Sequence, residues 1–248
     1  MIYKAVRTTY RCTHFSIHII TALLICSFVL LVFKRHWFQG ERGRNIIQWW
    51  HKQATCILGL TITQKGSPFN STTLTVANHI SFLDIMVIAS SSPVTFLSKS
   101  TLRYWPIIGF VANSVGTLFI ERHNKRSLYK TIPLLTQALN QNKSLVIFPE
   151  GTTTIGRDVG KFYSSLFQSA INANKPIQPI ALRYLKNGNI NTTAAYIEND
   201  NFILTLIKIM SQSKTEATIT FCNTIFNNKQ KRGELAMESH AAISQEIE

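Results

Sequence analysis

The chain has 248 residues, with 26 Lys and Arg against 12 Asp and Glu, so a formal net charge of +14 sits on a background that is 45% hydrophobic and only 15% charged. That composition excludes a disordered tail, which needs low hydrophobicity and dense charge, and the length suits one ordinary domain with an attached segment. A polytopic transporter is excluded as well, because only one stretch is long and apolar enough to span a bilayer.

The basic excess needs an anionic partner, nucleic acid or anionic lipid, and position along the chain chooses between them. Cys12, Cys26, Cys56 and Cys222 form no Cys-x-x-Cys spacing, which points to a reduced compartment without structural disulfides. Residues 15–33, FSIHIITALLICSFVLLVF, carry no formal charge and would extend about 28 Å as a helix, close to the hydrocarbon thickness of a bilayer. Lys4, Arg7 and Arg11 precede the run and Lys34, Arg35, Arg42 and Arg44 follow it, so the positive-inside rule sets no orientation. A cleaved signal peptide is disfavoured, since Lys34-Arg35-His36-Trp37 is a poor cleavage site; a buried core helix is the plainer alternative. Residues 48–62, with Trp49 and Trp50, suit the headgroup region. Residues 1–62 are therefore read as a membrane-attachment region, spanning the bilayer or lying in its face, and 63–248 as the domain that follows.

Short apolar runs at 74–78, 94–98, 115–120, 144–148 and 176–182 read as strands, and 216–226 as a late one. Leu128, Ile132, Leu135 and Leu139 recur at helical spacing despite Pro133, and residues 162–173 form a second helical pattern. Strands alternating with helices predict an α/β domain whose mixed, partly parallel sheet is flanked by helices.

Four places offer chemistry. Asn78-His79-Ile80-Ser81-Phe82-Leu83-Asp84 follows a strand, and Ser81 with Asp84 matches a capping box. A helix starting there leaves His79 on the turn with Asp84 in the first helical turn, where a carboxylate orients an imidazole and stabilises its charged form. A capped helix and a satisfied loop histidine explain the same residues about equally well. Phe148-Pro149-Glu150-Gly151-Thr152 also ends a strand, where ligands of open α/β sheets bind, though an ordinary turn has the same composition. Arg122, closing Gly116-Thr117-Leu118-Phe119-Ile120-Glu121, is a phosphate anchor or a solvated surface arginine. Lys99 follows another strand and leads into a loop containing Trp105, Pro106 and Gly109.

Taken together and in this order, Asn78-His79 with Asp84, Lys99 with Pro106 and Gly109, Phe119 to Arg122, Phe148 to Thr152 and Pro176 to Pro179 resemble the block set of the glycerolipid acyltransferases. The likeness covers roughly residues 70–185 and is nearest to the membrane-bound 1-acylglycerol-3-phosphate acyltransferases. It implies that His79 is the general base and Asp84 orients it, without an acyl-enzyme intermediate, metal or cofactor. Lys99, Arg122, Glu150, Gly151 and Thr152 would contact the substrate. Glu150 is electrostatically awkward beside a phosphate, so holding the loop, Arg122 or an acceptor hydroxyl suits it better. The partners implied are a lyso-lipid acceptor, an acyl thioester donor (acyl-CoA or acyl carrier protein) and membrane lipids, with the catalytic domain facing the cytoplasm and phosphatidate as product.

The chain departs from the resemblance at two points. Thr153 and Thr154 stand where many members have Arg and Ser, and Phe162-Tyr163-Ser164-Ser165 replaces a Phe-Lys-Lys-Gly run. Two positive groups are thus missing at the acceptor end, with Arg157 or Lys161 as stand-ins, and a lyso-aminolipid becomes the alternative acceptor. A non-enzymatic module binding anionic lipid leaves the His79/Asp84 and Phe148 to Thr152 pattern as coincidence. Nucleic-acid binding wants basic residues interleaved with exposed aromatics, and no such stripe is evident. A serine hydrolase would need a Gly-x-Ser-x-Gly elbow, which is missing.

Overall fold

A computed structural model describes the chain apart from residues 122–124, 198–199, 228 and 248; for residues 125–129 it describes the helical backbone alone. Two helices, α1 (Ile2–Val32) and α2 (Glu41–Leu58), precede β1 (Leu60–Lys65). There follow β2 (Leu74–Ala77), α3 (Leu83–Ser91), β3 (Thr95–Lys99), α4 (Ile108–Ser114), β4 (Leu118–Ile120), α5 (Lys125–Asn140) and β5 (Leu145–Ile147). A long loop and α6 (Gln168–Ala173) lead to β6 (Ile177–Lys186), β7 (Asn189–Ile190), α7 (Phe202–Ser211), β8 (Thr215–Phe221) and α8 (Arg232–Ile247).

The sheet runs β1-β8-β6-β2-β5-β3-β4, with β7 paired to β6. From β6 to β4 all neighbours are parallel, while β8 is antiparallel to β6 and carries β1 parallel at the far edge. Both sides of the central strands are covered, which is why they read as continuous apolar runs rather than alternating ones. Leu74, Val76, Leu145, Ile147 and Ile177 face Leu135, Leu139, Phe167, Leu235 and Ile243 of one helical layer. The intervening Ala77, Val146, Phe148, Ile180 and Leu182 face Leu58, Val87 and Ile209 of the other. This period of two places the core in two slabs astride the sheet. The parallel half sends the C-terminal ends of β2, β5, β3 and β4 to one edge, where the His79 and Glu150 segments lie side by side.

Three elements differ from the sequence reading. Helix α1 begins at Ile2, well before the apolar run. Its basic residues there have partners: Arg7 donates to the Ser211 carbonyl (2.6 Å) and Arg11 to those of Met210 (3.0 Å) and Gln212 (2.6 Å), covering the C-terminal carbonyls of α7. Phe15, His18, Ala22, Cys26 and Val29 recur every three or four residues and are buried against the protein. Ile17, Ile20, Leu24, Phe28 and Leu31 repeat at the same interval on the opposite face and are exposed. Among the described residues α1 is the one helix long and apolar enough to cross a membrane. Residues 48–62 divide between α2 and β1, and the two tryptophans part company: Trp49 is exposed, whereas Trp50 stacks on His18 with ring centroids 4.3 Å apart. Gly59 makes the break, because its positive φ of 78° ends α2 and a Cβ there would lie 2.2 Å from the Arg11 guanidinium. Strand β1 then starts, and the boundary drawn at residue 62 falls inside it.

Candidate active site

Strand β2 ends at Ala77, and Asn78 continues its hydrogen bonding with a side chain. The buried amide donates to the Leu182 carbonyl (3.0 Å) and accepts from the Leu182 N–H (2.8 Å), locking the turn to β6. His79 comes next, and nearly every polar group it has is held. Its N–H donates to Glu150 Oε1 (2.7 Å), its carbonyl accepts from the Thr154 N–H (2.8 Å), and Nδ1 lies 2.7 Å from Asp84 Oδ2. An ionised carboxylate only accepts, so the ring hydrogen sits on Nδ1 and Nε2 keeps its lone pair. The ring lies on the face of Phe148, centroids 4.0 Å apart and planes 15° apart, an arrangement that favours a positive charge developing on the imidazole.

Asp84 is fully buried at the start of α3. Oδ2 also accepts from the N–H groups of Ile80 (2.7 Å) and Ser81 (3.0 Å), and Oδ1 accepts from the Tyr184 hydroxyl (2.8 Å). The expected capping box is therefore half made. The carboxylate reaches back to the Ser81 N–H, but the helix is capped at Phe82 and the buried Ser81 hydroxyl has no hydrogen-bond partner among the described residues. The N–H that the Ser81 hydroxyl would accept from, that of Asp84, donates instead to the Ser81 backbone carbonyl (3.1 Å).

Glu150 is buried beneath this turn. Oε1 takes the His79 N–H and Oε2 the Gly160 N–H (2.9 Å), so the carboxylate bridges the two loops of the site. A Cβ at Gly160 would lie 2.5 Å from Oε2, so a larger residue there would displace the carboxylate. Burial raises the Glu150 carboxyl above its ordinary range, against the opposing pull of the two N–H donors and His79. A carboxyl raised in the folded state holds its proton longer there than when unfolded, so its contribution to stability is full at acid pH and declines as pH rises. The Glu150→Gln variant loses this dependence. Thermal unfolding from about pH 4 to pH 8 is expected to show wild type losing ground to the variant with rising pH, on top of a constant deficit of about 1–3 kcal/mol where the variant amide opposes a backbone N–H.

The other predicted residues spread around the same edge. Lys99 ends β3 and is exposed. Gly151, with φ 74°, and Thr152 are exposed on the loop after β5. Arg122 lies outside the described residues. Thr153 and Thr154, the two departures from the expected motif, are tied inward, Thr153 Oγ1 donating to the Tyr196 carbonyl and Thr154 holding that of His79. Arg157 and Lys161 are exposed on the same loop. Tyr184 and Gly160 were missed by the sequence reading.

The acyltransferase family profile matches residues 60–183, half of the chain. This chain belongs to the acyltransferase family. The acyltransferase is 32% identical over 200 residues to the lyso-ornithine lipid O-acyltransferase of Pseudomonas aeruginosa, covering 81% of this chain and 77% of that one. It is 28% identical over 181 residues to the 1-acyl-sn-glycerol-3-phosphate acyltransferase of Neisseria meningitidis, covering 73% and 69%. The crystal structure of the 1-acyl-sn-glycerophosphate acyltransferase PlsC from Thermotoga maritima superposes with a TM-score of 0.73 over 99% of this chain and 95% of that one, at 17% identity, and so shares the fold. The resemblance seen in the motifs, the α/β architecture and the enzyme class of this acyltransferase are thereby established.

Proposed function

We propose that this acyltransferase moves a fatty acyl group from an acyl thioester, acyl-CoA or acyl carrier protein, to the free hydroxyl of a lyso-lipid, with His79 as general base and a lyso-ornithine lipid as acceptor. The His79–Asp84 pair at the C-terminal edge of the parallel strands carries the reading. Nε2 takes the proton of the acceptor hydroxyl as its oxygen bonds to the thioester carbonyl carbon. The carbon–sulfur bond then breaks, and the imidazolium returns its proton to the departing thiolate. Buried Asp84 offsets the charge formed on the ring, and Glu150 positions the backbone that carries it.

Two observations favour the ornithine headgroup. The Thr153 side chain is engaged with Tyr196, so position 153 supplies no cation where the family resemblance implies an arginine. An ornithine headgroup carries its own ammonium beside its carboxylate and needs less positive charge from the protein. The relatives with the same acceptor in their names include those of P. aeruginosa and Rhizobium meliloti. Phosphatidate formation from 1-acylglycerol-3-phosphate is the second reading, favoured by exposed Lys99 at the same sheet edge and by the Neisseria relative. The exposed apolar face of α1 seats the molecule on the membrane, and the net charge of +14 suits both an anionic cytoplasmic leaflet and an anionic donor.

The test is acyl transfer by the membrane-bound protein from labelled acyl-CoA and, separately, acyl carrier protein, to lyso-ornithine lipid and lysophosphatidate in vesicles. Ornithine lipid as the main product supports the proposal. Phosphatidate as the main product establishes the second reading, and no product from either acceptor overturns both.

A further inference from the structure

We propose that Tyr184 is a positioning residue for the base, fixing Asp84 from below the sheet edge so that the carboxylate stays ionised and shared between the imidazole and the turn. The inference rests on the assignment of His79 as base and adds a third member that no motif includes.

Asp84 has no contact with water, so each of its oxygens depends on the protein for hydrogen bonds. Oδ2 has three donors, all from residues 79–81, and they pull the carboxylate toward the turn. Oδ1 accepts the Tyr184 hydroxyl at 2.8 Å from the neighbouring strand. Tyr184 is itself 3% exposed, and its hydroxyl has been placed by strand register: the Asn78 amide pairs with both backbone groups of Leu182, two residues earlier on β6, and the Tyr184 carbonyl is fixed by the Asn191 N–H (2.9 Å). Burial, and then the facing carboxylate, raises the phenol well above its ordinary range, so it remains a donor at every working pH. The groups that bear on the pair are few. Tyr184 faces it from β6, Glu150 from the loop after β5, and His79 and Asp84 from the turn and α3.

Removing the hydroxyl leaves Oδ1 with a full share of negative charge and no donor. The His79–Asp84 pair then binds its proton more tightly, and the fraction of base available falls at a given pH. The Tyr184→Phe variant should therefore show the acidic limb of its kcat/KM profile moved upward by about one pH unit, with kcat/KM reduced about tenfold at pH values well below the limb and progressively less above it. A purely structural tyrosine would lower thermal stability and leave the limb where it is.

The experiment compares wild type, Tyr184→Phe, Asp84→Asn and the double variant on the acceptor that wild type uses. An upward limb shift in Tyr184→Phe, with less than about a twofold further loss when it is added to Asp84→Asn, supports the proposal. An unmoved limb, or losses that multiply, overturns it. Should Tyr184→Phe fail to fold, site-specific replacement by 3-fluorotyrosine keeps the shape and strengthens the donor, and must move the limb downward; no movement overturns the proposal. Wild type inactive on every acceptor would instead refute the functional assignment on which this rests.

Discussion

The His79→Ala variant is expected to lose about two to four orders of magnitude in acyl transfer, the range of a general base, while still folding and still associating with vesicles. The backbone reason for retained folding is specific. Glu150 and Thr154 hold the N–H and the carbonyl of residue 79, not its ring, and the Ile80 and Ser81 N–H groups keep Asp84 as their acceptor. What is lost is the proton acceptor and the ring stacked on Phe148. The loss should fall on kcat, since the ring's main work is done as charge develops. Added imidazole should restore part of the rate, because the space left lies beside a carboxylate already aimed at it. Circular dichroism and vesicle flotation separate the loss from misfolding. Near-wild-type turnover by a folded His79→Ala protein would move the base elsewhere and end the mechanism proposed above.

Much of this site was legible because its parts are close in sequence. His79 and Asp84 are five residues apart and meet inside one turn, so a short motif contains the whole interaction. The central strands were legible because both faces are buried, which leaves nearly unbroken apolar runs such as SLVIF at 144–148. Strand β1 was hidden for the opposite reason. LTITQK sits at the sheet edge, four of its six residues are exposed, and its partner β8 lies far along the chain, Leu60 pairing with Thr215. The basic residues before the apolar run read as flanks of a membrane segment, whereas Arg7 and Arg11 serve tertiary contacts with α7 that no local pattern announces. The same distance conceals Tyr184, whose partner is 100 residues away, and its strand looks complete as a core strand without it. Glu150 was visible as a motif residue, and its awkwardness beside a phosphate already hinted at another duty. Its actual partners, the N–H groups of residues 79 and 160, belong to backbone geometry rather than to sequence.

Asp84→Asn should also cost about two to four orders of magnitude, and it isolates charge from geometry. The amide is nearly isosteric with the carboxylate. Its oxygen must face the Ile80 and Ser81 N–H groups, which are donors, and in that position it still accepts from His79 Nδ1–H. Its NH2 then meets the Tyr184 hydroxyl, which turns to accept. The turn, the tautomer and the stacked ring all survive, and the variant should unfold close to the wild-type temperature. Only the counter-charge for the imidazolium disappears. Protonation of the ring becomes harder, so the acidic limb of kcat/KM moves to lower pH even as the maximal rate collapses, because the transition state has lost the charge that stabilised it. That direction is opposite to the one expected for Tyr184→Phe, which leaves the carboxylate more negative rather than less. Two substitutions touching one carboxylate thus predict opposite displacements of the same limb. A common direction for both would mean that the carboxylate is not what sets the protonation of the base.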